Sequence, residues 1–337
     1  MAAERKSNRR IGVGSTVENM LMTGSTIKIA VLDDYQNISL RMADWSSIPG
    51  NPEIRVFNDH ISEEDSLVQR LFPFDVVCIM RERTLMSATL LDRLPNLKLI
   101  ASTGPRNAAI DLEAAERRGI EVLHTGYNST PTIEFTWGMI MALARNVANE
   151  NASLRNGGWQ TSVGADLCGK TLGVLGLGNI GSRVAEIGKV FGMNVIAWSE
   201  NLTQEKAVAS GARLVSKGEL FREADFLTIH LVLSARSRGT VGKAELSLMK
   251  PTSFLVNTAR GPIVDEAALV ETLTARRIAG AAIDVFEQEP LPGEHPFRHL
   301  PNVLATPHIA YGSRSLYEIF YGDSIANISS WIRRNAP

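Results

Sequence analysis

The sequence predicts an α/β protein with two domains, each built on a parallel β-sheet. Three observations lead to this fold class. The chain has 337 residues, and because a domain averages about 150 residues, two domains are expected. Short β-branched runs alternate with helical patterns along most of the chain, which is typical of βαβ units. One of the predicted strands also leads into a glycine-rich loop that opens a helix.

The overall charge argues against two classes of partner. Lys and Arg number 35 and Asp and Glu 36, for a net charge of -1, so neither a nucleic acid nor a membrane is expected as a partner. No apolar run approaches the roughly 20 residues of a membrane span.

The two cysteines, Cys78 and Cys168, are too few for a disulfide framework and predict reduced thiols in a cytoplasmic protein.

The N-terminal part of the chain contains the first series of strands and helices. Residues 1–26 show no periodicity and are predicted to form a flexible extension. Strands are predicted at 27–32, 75–80 and 98–102, with helices at 63–71 and 88–94 between them. This alternation predicts that the strands lie parallel in one sheet.

One long helix is predicted next, over residues 131–155. Thr130 suits the capping position and Pro131 the first turn, and Gly157 with Gly158 ends the pattern. A helix of this length is expected to link domains or to support a contact between subunits. The second series has strands predicted at 171–175 and near Val195, Phe226, Phe254, Ala282 and Val303, and a last amphipathic helix is predicted at 313–334.

The glycine-rich loop predicts a dinucleotide site. It consists of Gly176, Leu177, Gly178, Asn179, Ile180 and Gly181, between a predicted strand and a predicted helix. The first glycine permits a tight turn, the second lets the backbone approach a pyrophosphate, and the third lets helix and strand pack closely. The helix N-terminus offers N–H groups and a partial positive charge to the phosphates.

The end of the next strand bears on the choice between NAD and NADP. An acid is expected there to bind the adenosine ribose hydroxyls, but the strand ends on Ser199. Because serine does not repel a 2′-phosphate, NADP stays possible. No arginine follows in Asn201 and Leu202, and Glu200 can take the place of the missing acid, so NAD is favoured.

Three further segments, 256–265, 282–290 and 306–310, resemble in order the catalytic segments of the D-isomer-specific 2-hydroxyacid dehydrogenase family. The likeness extends over roughly residues 27–334. It implies two Rossmann-like or flavodoxin-like domains with parallel sheets, with an active site in the cleft between them. It also implies an enzyme that oxidises CH–OH groups with NAD or NADP, on substrates of the glyoxylate or hydroxypyruvate kind.

The resemblance implies that Arg260, Glu289 and His308 are the catalytic residues. Reduction of a 2-keto acid needs a hydride, a proton and a clamp for the carboxylate. His308 can supply the proton, and Glu289 would stabilise its charged ring and orient it. Arg260 offers a fork of donors that can hold the carboxylate and polarise the keto oxygen. Glu287 competes with Glu289, and the match to the family segment favours Glu289. His308 is preferred to His295 and His299 because those two lie in a polar, proline-containing loop, whereas His308 follows a short apolar strand and a proline.

The resemblance also implies contacts to cofactor and substrate. Besides the glycine loop, the residues expected at the cofactor are Ser199, His230, Leu231, Thr258, Ala259 and Asp284, the last at the nicotinamide carboxamide. Those expected at the substrate are Ser102, Thr103 and Gly104, at the place where family members hold the substrate carboxylate with backbone N–H groups. Arg81 is added from its own position, because it follows a predicted strand and can point into the cleft. The chain departs from the family pattern in a lengthened loop at 104–111 that contains Arg106, and in Val232, where the family usually has proline. For Arg81 and Arg106 the alternative is a solvated loop charge.

The domain bounds follow from the same likeness. The substrate-binding domain is expected at 27–130 plus 310–337, and the NAD(P)-binding domain at 131–309, beginning with the long helix. That helix resembles the arm through which family members dimerise, so a homodimer is expected. No metal ion is expected in the site. An NAD(H)-responsive binding protein or corepressor of the same fold is the alternative function.

Overall fold

A computed structural model describes residues 26–335, which divide into two compact units. The first comprises residues 26–125 and 321–335, and the second comprises residues 126–320. The predicted extension lies outside the described residues, apart from residue 26. The sequence predicts domain bounds near residues 130 and 310. The two units instead meet along the chain near residue 125, after the last strand of the first sheet, and near residue 320, within the last helix.

The first unit contains a five-stranded sheet in the order β2-β1-β3-β4-β5, with every neighbouring pair parallel. Its strands are β1 (Lys28–Val31), β2 (Glu53–Val56), β3 (Val76–Ile79), β4 (Leu99–Ser102) and β5 (Glu121–His124). Its helices are α1 (Ser39–Met42), α2 (Glu64–Leu71), α3 (Ala88–Asp92) and α4 (Leu112–Arg117). This strand order is that of flavodoxin-like folds.

The second unit contains a seven-stranded parallel sheet in the order β12-β11-β10-β9-β6-β7-β8. Two helices, α5 (Thr130–Ala144) and α6 (Val147–Arg155), precede the strands β6 (Thr171–Leu175), β7 (Asn194–Trp198), β8 (Arg213–Leu214), β9 (Phe226–Ile229), β10 (Phe254–Asn257), β11 (Gly280–Ile283) and β12 (Val303–Ala305). The other helices of this unit are α7 (Asn179–Val190), α8 (Gln204–Ala209), α9 (Lys217–Glu223), α10 (Lys243–Leu246) and α11 (Glu266–Thr274). The last helix, α12 (Arg314–Asn335), begins in the second unit, and its residues from 321 onward belong to the first. Counted from β6, the order is that of a Rossmann fold with a seventh strand, and the predicted fold class is confirmed.

The predicted long helix is two helices, and that prediction was wrong in this respect. Helix α5 ends at Ala144, and Asn146 then adopts a left-handed conformation with φ of 50°. Asparagine tolerates this region better than most residues, so the axis breaks there. Helix α6 follows, and none of its residues is buried within the chain.

The sheet of the second unit positions the site. Its core is apolar, and the buried strands β6, β9, β10 and β11 are almost fully enclosed. Because the strands are parallel, the loops that follow them meet at one edge of the sheet, and the strand order reverses between β6 and β9. Open α/β sheets bind their ligands at such a reversal. Within residues 26–335, no helix has the length and hydropathy needed to cross a bilayer.

Candidate active site

The glycine loop between β6 and α7 has the geometry that a dinucleotide needs. Gly176 has φ of 99°, and a Cβ on it would lie 2.8 Å from the carbonyl carbon of His230. A Cβ on Gly181 would overlap the carbonyl oxygen of Gly176. A Cβ on Gly178, by contrast, would have no neighbour within 4 Å, so ligand atoms can approach the backbone there. These residues fit a pyrophosphate at the start of α7.

A pocket of about 620 Å³, the nucleotide pocket, adjoins this loop. Its wall includes Gly178, Ser199, Glu200, Lys206, His230 and Arg236. A cavity of this size is within the range of small-molecule and cofactor sites, about 300–1,000 Å³. The structure thus brings Ser199 and His230 to the same pocket as the glycine loop.

His230 contributes an uncharged wall to the nucleotide pocket. Its backbone N–H donates to the carbonyl of Leu175 at 2.8 Å, and its Nε2 lies 2.9 Å from the Thr228 hydroxyl. Desolvation by burial lowers the pKa of His230 to about 3. The ring is therefore neutral at physiological pH, which suits a hydrogen-bonding wall rather than a proton donor.

The turn after β10 carries Arg260. The side chain of Asn257 braces the turn, because its Oδ1 accepts from the N–H of Ala259 at 3.1 Å and its Nδ2 donates to the carbonyl of Arg260 at 3.1 Å. Gly261 packs so tightly on the backbone of Phe286 that a Cβ would overlap it. The contact ties the Arg260 turn to the loop after β11, where Glu289 lies.

Glu289 and His308 form the closest ionisable pair of the candidate site. His308 Nδ1 lies 2.6 Å from Glu289 Oε2, and the other carboxylate oxygen accepts from the N–H of Phe286 at 2.9 Å. Because an ionised carboxylate only accepts, the hydrogen is on Nδ1, and Nε2 is the nitrogen that can exchange a proton. The side chains of Glu289 and His308 are 29% and 17% exposed, so a ligand can reach the ring.

The carboxylate of Glu289 is kept ionised by its surroundings. Burial on its own raises its pKa, but the hydrogen bond and charge of His308, the Phe286 N–H and the charge of Arg260 outweigh burial and lower the pKa from its ordinary value. Arg260 therefore lies near enough for its charge to act on the acid of the pair. The structure thus brings Glu289 and His308, predicted from separate segments, into direct contact, and it places Glu289 within range of the charge of Arg260.

Asp284 fixes the backbone of the segment that carries His308. It is fully buried directly after β11, and its Oδ1 accepts from the Thr306 hydroxyl at 2.6 Å and from the N–H of Ile309 at 2.9 Å. Oδ2 accepts from the N–H of Ala310 at 2.8 Å. His308 itself has φ of 51°, a strained region for a non-glycine residue, and these hydrogen bonds hold it there. Burial raises the pKa of Asp284.

Thr258 and Ala259 belong to the turn that carries Arg260, and Thr258 contacts helix α5. The hydroxyl oxygens of Thr258 and Thr136 are 2.8 Å apart, and both threonines are buried. The Ala259 carbonyl accepts from Nη1 of Arg260 at 2.7 Å. These contacts orient the Arg260 turn, and the predicted contact of Thr258 and Ala259 with a cofactor stays a prediction.

In the first unit, Arg81 packs directly on the predicted substrate loop. Its backbone N–H donates to the Thr103 hydroxyl at 2.8 Å, and its Nη1 donates to the Thr103 carbonyl at 3.1 Å. The guanidinium lies against Gly104, which has φ of 83° and no room for a Cβ. The Gly104 N–H, expected to face a carboxylate, donates to the Thr125 hydroxyl at 2.7 Å. Arg81 thus braces the backbone of this loop, its side chain is 13% exposed, and its predicted contact with a substrate stays a prediction.

Ser102 and Arg106 differ in their surroundings. Ser102 is fully buried, and its hydroxyl accepts from Nδ2 of Asn107 at 3.1 Å. The same amide donates to the Arg81 carbonyl at 2.6 Å. Arg106 is exposed, which agrees with the alternative of a solvated charge. Ser102 and Asn107 therefore stabilise the loop through buried hydrogen bonds.

Several residues with a part in the site were not predicted from the sequence. Lys206 and Arg236 line the nucleotide pocket, Asn257 braces the Arg260 turn, and Thr306 donates to Asp284. Lys206 lies in the helix after β7, and Arg236 lies in the loop after β9. The only signal for them was this position beyond a strand end, where ligands of open α/β sheets bind.

Comparison with known proteins gives consistent matches. The family described as D-isomer specific 2-hydroxyacid dehydrogenase, NAD binding domain, matches residues 137–310. The glyoxylate reductase of Aeropyrum pernix is 45% identical over 235 residues, which is 67% of this chain and 70% of that protein. The D-3-phosphoglycerate dehydrogenase of Methanocaldococcus jannaschii is 36% identical over 84% of this chain, and the match spans only 53% of that longer protein.

A solved structure agrees over most of the described residues. The phosphoglycerate oxidoreductase from Vibrio cholerae O395 superimposes with a TM-score of 0.88 at 39% identity, over 92% of this chain and all of that chain. The family match over 137–310 contains the glycine loop, Arg260, Glu289 and His308. On this sequence match and this structural likeness, the chain belongs to the D-isomer specific 2-hydroxyacid dehydrogenase family.

Proposed function

We propose that the chain transfers a hydride between a nicotinamide dinucleotide and a small 2-keto acid or D-2-hydroxy acid. The observation that carries the proposal is the His308–Glu289 pair, with 2.6 Å between Nδ1 and Oε2. The positive charge of Arg260 helps to keep the carboxylate of this pair ionised. A histidine whose second nitrogen is free to exchange a proton, next to a guanidinium, suits a carbonyl that gains a proton while its carboxylate is held. The named activities of the relatives support the same reaction class.

The catalytic residues act together in the proposed reaction. When bound, the dinucleotide supplies the hydride for reduction and accepts it for oxidation. In reduction, charged His308 donates the Nε2 proton to the keto oxygen, while its Nδ1–H stays hydrogen-bonded to Glu289 and keeps the ring oriented. Arg260 holds the substrate carboxylate and stabilises negative charge that develops on the keto oxygen. In oxidation, neutral His308 accepts the hydroxyl proton at Nε2.

The proposed cofactor contacts divide between two ends of the site. Gly176, Gly178 and the start of α7 would hold the pyrophosphate with backbone N–H groups. The backbone at His230 and Leu231 would face the dinucleotide from the far wall of the nucleotide pocket. We propose two roles for Asp284. Its carboxylate positions the backbone of the His308 segment, and it would hydrogen-bond the carboxamide of the nicotinamide.

A steady-state assay tests this function. The purified full chain is mixed with NADH or NADPH and a panel of 2-keto acids that includes glyoxylate, hydroxypyruvate and a phosphorylated keto acid, and absorbance is followed at 340 nm. We expect turnover of at least one of them. In Arg81→Ala we expect KM for that keto acid to rise about 10- to 100-fold, the loss of one charged hydrogen bond, with dinucleotide affinity unchanged.

The assay also separates the two candidate functions. Tight dinucleotide binding without turnover across the panel would contradict the dehydrogenase and support the NAD(H)-responsive binding protein. An unchanged KM in Arg81→Ala would remove Arg81 from the substrate contacts. Arg106→Ala serves as the matched control, because Arg106 is an exposed arginine of the same loop region, and its KM is expected to stay within twofold.

We also propose that two copies of the chain form a dimer through α6 and the segment that follows it. No residue of α6 is buried, and Leu154, Trp159 and Val163 are 58%, 74% and 100% exposed. Exposed large apolar side chains that lie this close together in the sequence support a protein interface in this segment. Light scattering should give about twice the chain mass of 36.8 kDa.

The double variant Trp159→Asp, Val163→Asp should shift this mass to that of one chain. The control is Val190→Asp, since Val190 is 86% exposed on α7, away from that segment in sequence. A wild-type chain that is monomeric at high micromolar concentration would contradict the dimer.

The two cysteines support the proposed cytoplasmic location. Cys78 and Cys168 are both free, with Cys78 buried and Cys168 exposed. Burial raises the pKa of Cys78 to about 12, so that its thiol stays protonated and unreactive. Free thiols suit a reducing compartment, and cell fractionation with an antibody to the chain would test this.

A further inference from the structure

We infer that the nucleotide pocket is built for a dinucleotide that carries a 2′-phosphate, so that the chain prefers NADPH to NADH. This inference depends on one part of the proposed function, namely that a nicotinamide dinucleotide binds in this pocket. The observations concern Ser199, Lys206 and Arg236, which come from three different elements and line the same pocket.

Ser199 lies where the ribose of the dinucleotide is expected. The carbonyl of Trp198, one residue earlier, accepts from the N–H of Gly176 at 2.9 Å, which ties the end of β7 to the glycine loop. Ser199 is half-buried in the pocket wall. A carboxylate at this point would bind both ribose hydroxyls and repel a phosphate, whereas a serine hydroxyl can donate to a phosphate oxygen.

Two cations approach the pocket from different elements. Lys206 lies on α8 and Arg236 on the loop after β9, and both side chains are exposed. Over residues 26–335, neither forms a salt bridge with a carboxylate. By contrast, Arg238 on the same loop is paired with Glu287 at 3.0 Å. The cations that face the pocket are thus left for a ligand, while a neighbour that does not line it is neutralised.

Glu200 is the opposing charge in the pocket wall. Lys206 and Arg236 against Glu200 leave one net positive charge among the described side chains of this wall. A phosphate monoester carries about −1.5 to −2 charges at neutral pH, so the net positive charge of this wall attracts it. NADH has no group there that would gain from either cation, so the wall discriminates between the two cofactors.

Calorimetric titration of the purified full chain with NADPH and with NADH tests the inference without relying on turnover. We expect NADPH to bind at least about tenfold more tightly, the worth of one charge-assisted hydrogen bond. Lys206→Ala and Arg236→Ala should each weaken NADPH binding about tenfold and NADH binding less than twofold. Glu200→Gln should tighten NADPH binding, and Arg238→Ala, the matched control, should change neither affinity.

Three results would overturn the preference. They are equal or tighter binding of NADH, equal losses for both cofactors in Lys206→Ala and Arg236→Ala, and an Arg238→Ala loss as large as that of Arg236→Ala. The proposed function would survive each of these. Failure of the chain to bind either dinucleotide is a separate outcome, and it would contradict the proposed function as well.

Discussion

Replacement of His308 by alanine is expected to lower kcat for keto-acid reduction by about 10²- to 10⁴-fold, the usual contribution of a positioned general acid. The reason is the orientation of the ring, whose Nδ1 is held by Glu289 at 2.6 Å, which leaves Nε2 as the proton donor. Without the ring, the keto oxygen must take its proton from water. Dinucleotide affinity should stay within twofold, because His308 does not line the nucleotide pocket.

The fold should survive this change, because Asp284 holds the segment through backbone groups. Two of its three hydrogen bonds come from the N–H groups of Ile309 and Ala310, which alanine at 308 leaves in place. The left-handed φ of 51° costs alanine roughly 1–2 kcal/mol. His308→Asn is a second variant that tolerates this φ better and still lacks the imidazole.

Stopped-flow and steady-state rates at 340 nm measure the loss, and His299→Ala is the matched control. His299 is an exposed histidine of the same unit, close to β12 in sequence, and its variant should keep wild-type rates. Activity within threefold of wild type in both His308 variants would rule out His308 as the proton donor. A loss of similar size in His299→Ala would mean that the effect is not specific to His308, and it would contradict the assignment of His308 as the proton donor.

The interior of the fold was predictable because buried strands have a strong pattern. Strands β3, β4, β9 and β11 are buried at every position, and their apolar runs marked them in the sequence. Strands β2 and β5 went unpredicted since they lie at the edges of the first sheet. Strand β2 alternates between exposed and half-buried positions, and β5 is half-buried apart from its exposed last residue, so both resemble loops.

The break between α5 and α6 was not predictable from periodicity. The segment has no proline or glycine at the break, where Arg145 and Asn146 continue a helical pattern. What ends α5 is the left-handed conformation of Asn146, a choice that several residue types can make or avoid. Helical periodicity reports which side chains share a face, and it does not report a single backbone rotation.

The candidate site was predictable in part, for a physical reason. Parallel strands bring the loops after them to one edge, so motifs that follow β6, β10, β11 and β12 must lie near one another. The Glu289–His308 contact follows from that rule. The pocket positions of Lys206 and Arg236 do not, because they depend on how α8 and the loop after β9 fold back. The hydrogen bonds of Asp284 likewise depend on how the segment 306–310 folds back over the end of β11, which no periodicity specifies.

Two alanine substitutions in the glycine loop should separate folding from cofactor binding. Gly178→Ala is expected to cost no more than about 1 kcal/mol of stability, the difference between glycine and alanine at a helix N-cap. Its φ of −89° suits alanine, and nothing lies within 4 Å of the added carbon. The same carbon enters the space where the pyrophosphate approaches the backbone, so dinucleotide affinity should fall at least about tenfold, or 1.4 kcal/mol.

Gly181→Ala should instead damage both properties. The added carbon overlaps the carbonyl oxygen of Gly176, a backbone atom that cannot rotate away, so α7 must move from β6. Overpacking of this kind costs about 1–3 kcal/mol, and the higher helix propensity of alanine returns at most about 1 kcal/mol. We expect a net loss of about 1–2 kcal/mol by urea unfolding, with dinucleotide binding lost because the loop is displaced. A Gly181→Ala chain as stable as wild type, or wild-type affinity in Gly178→Ala, would contradict the assigned roles of these glycines.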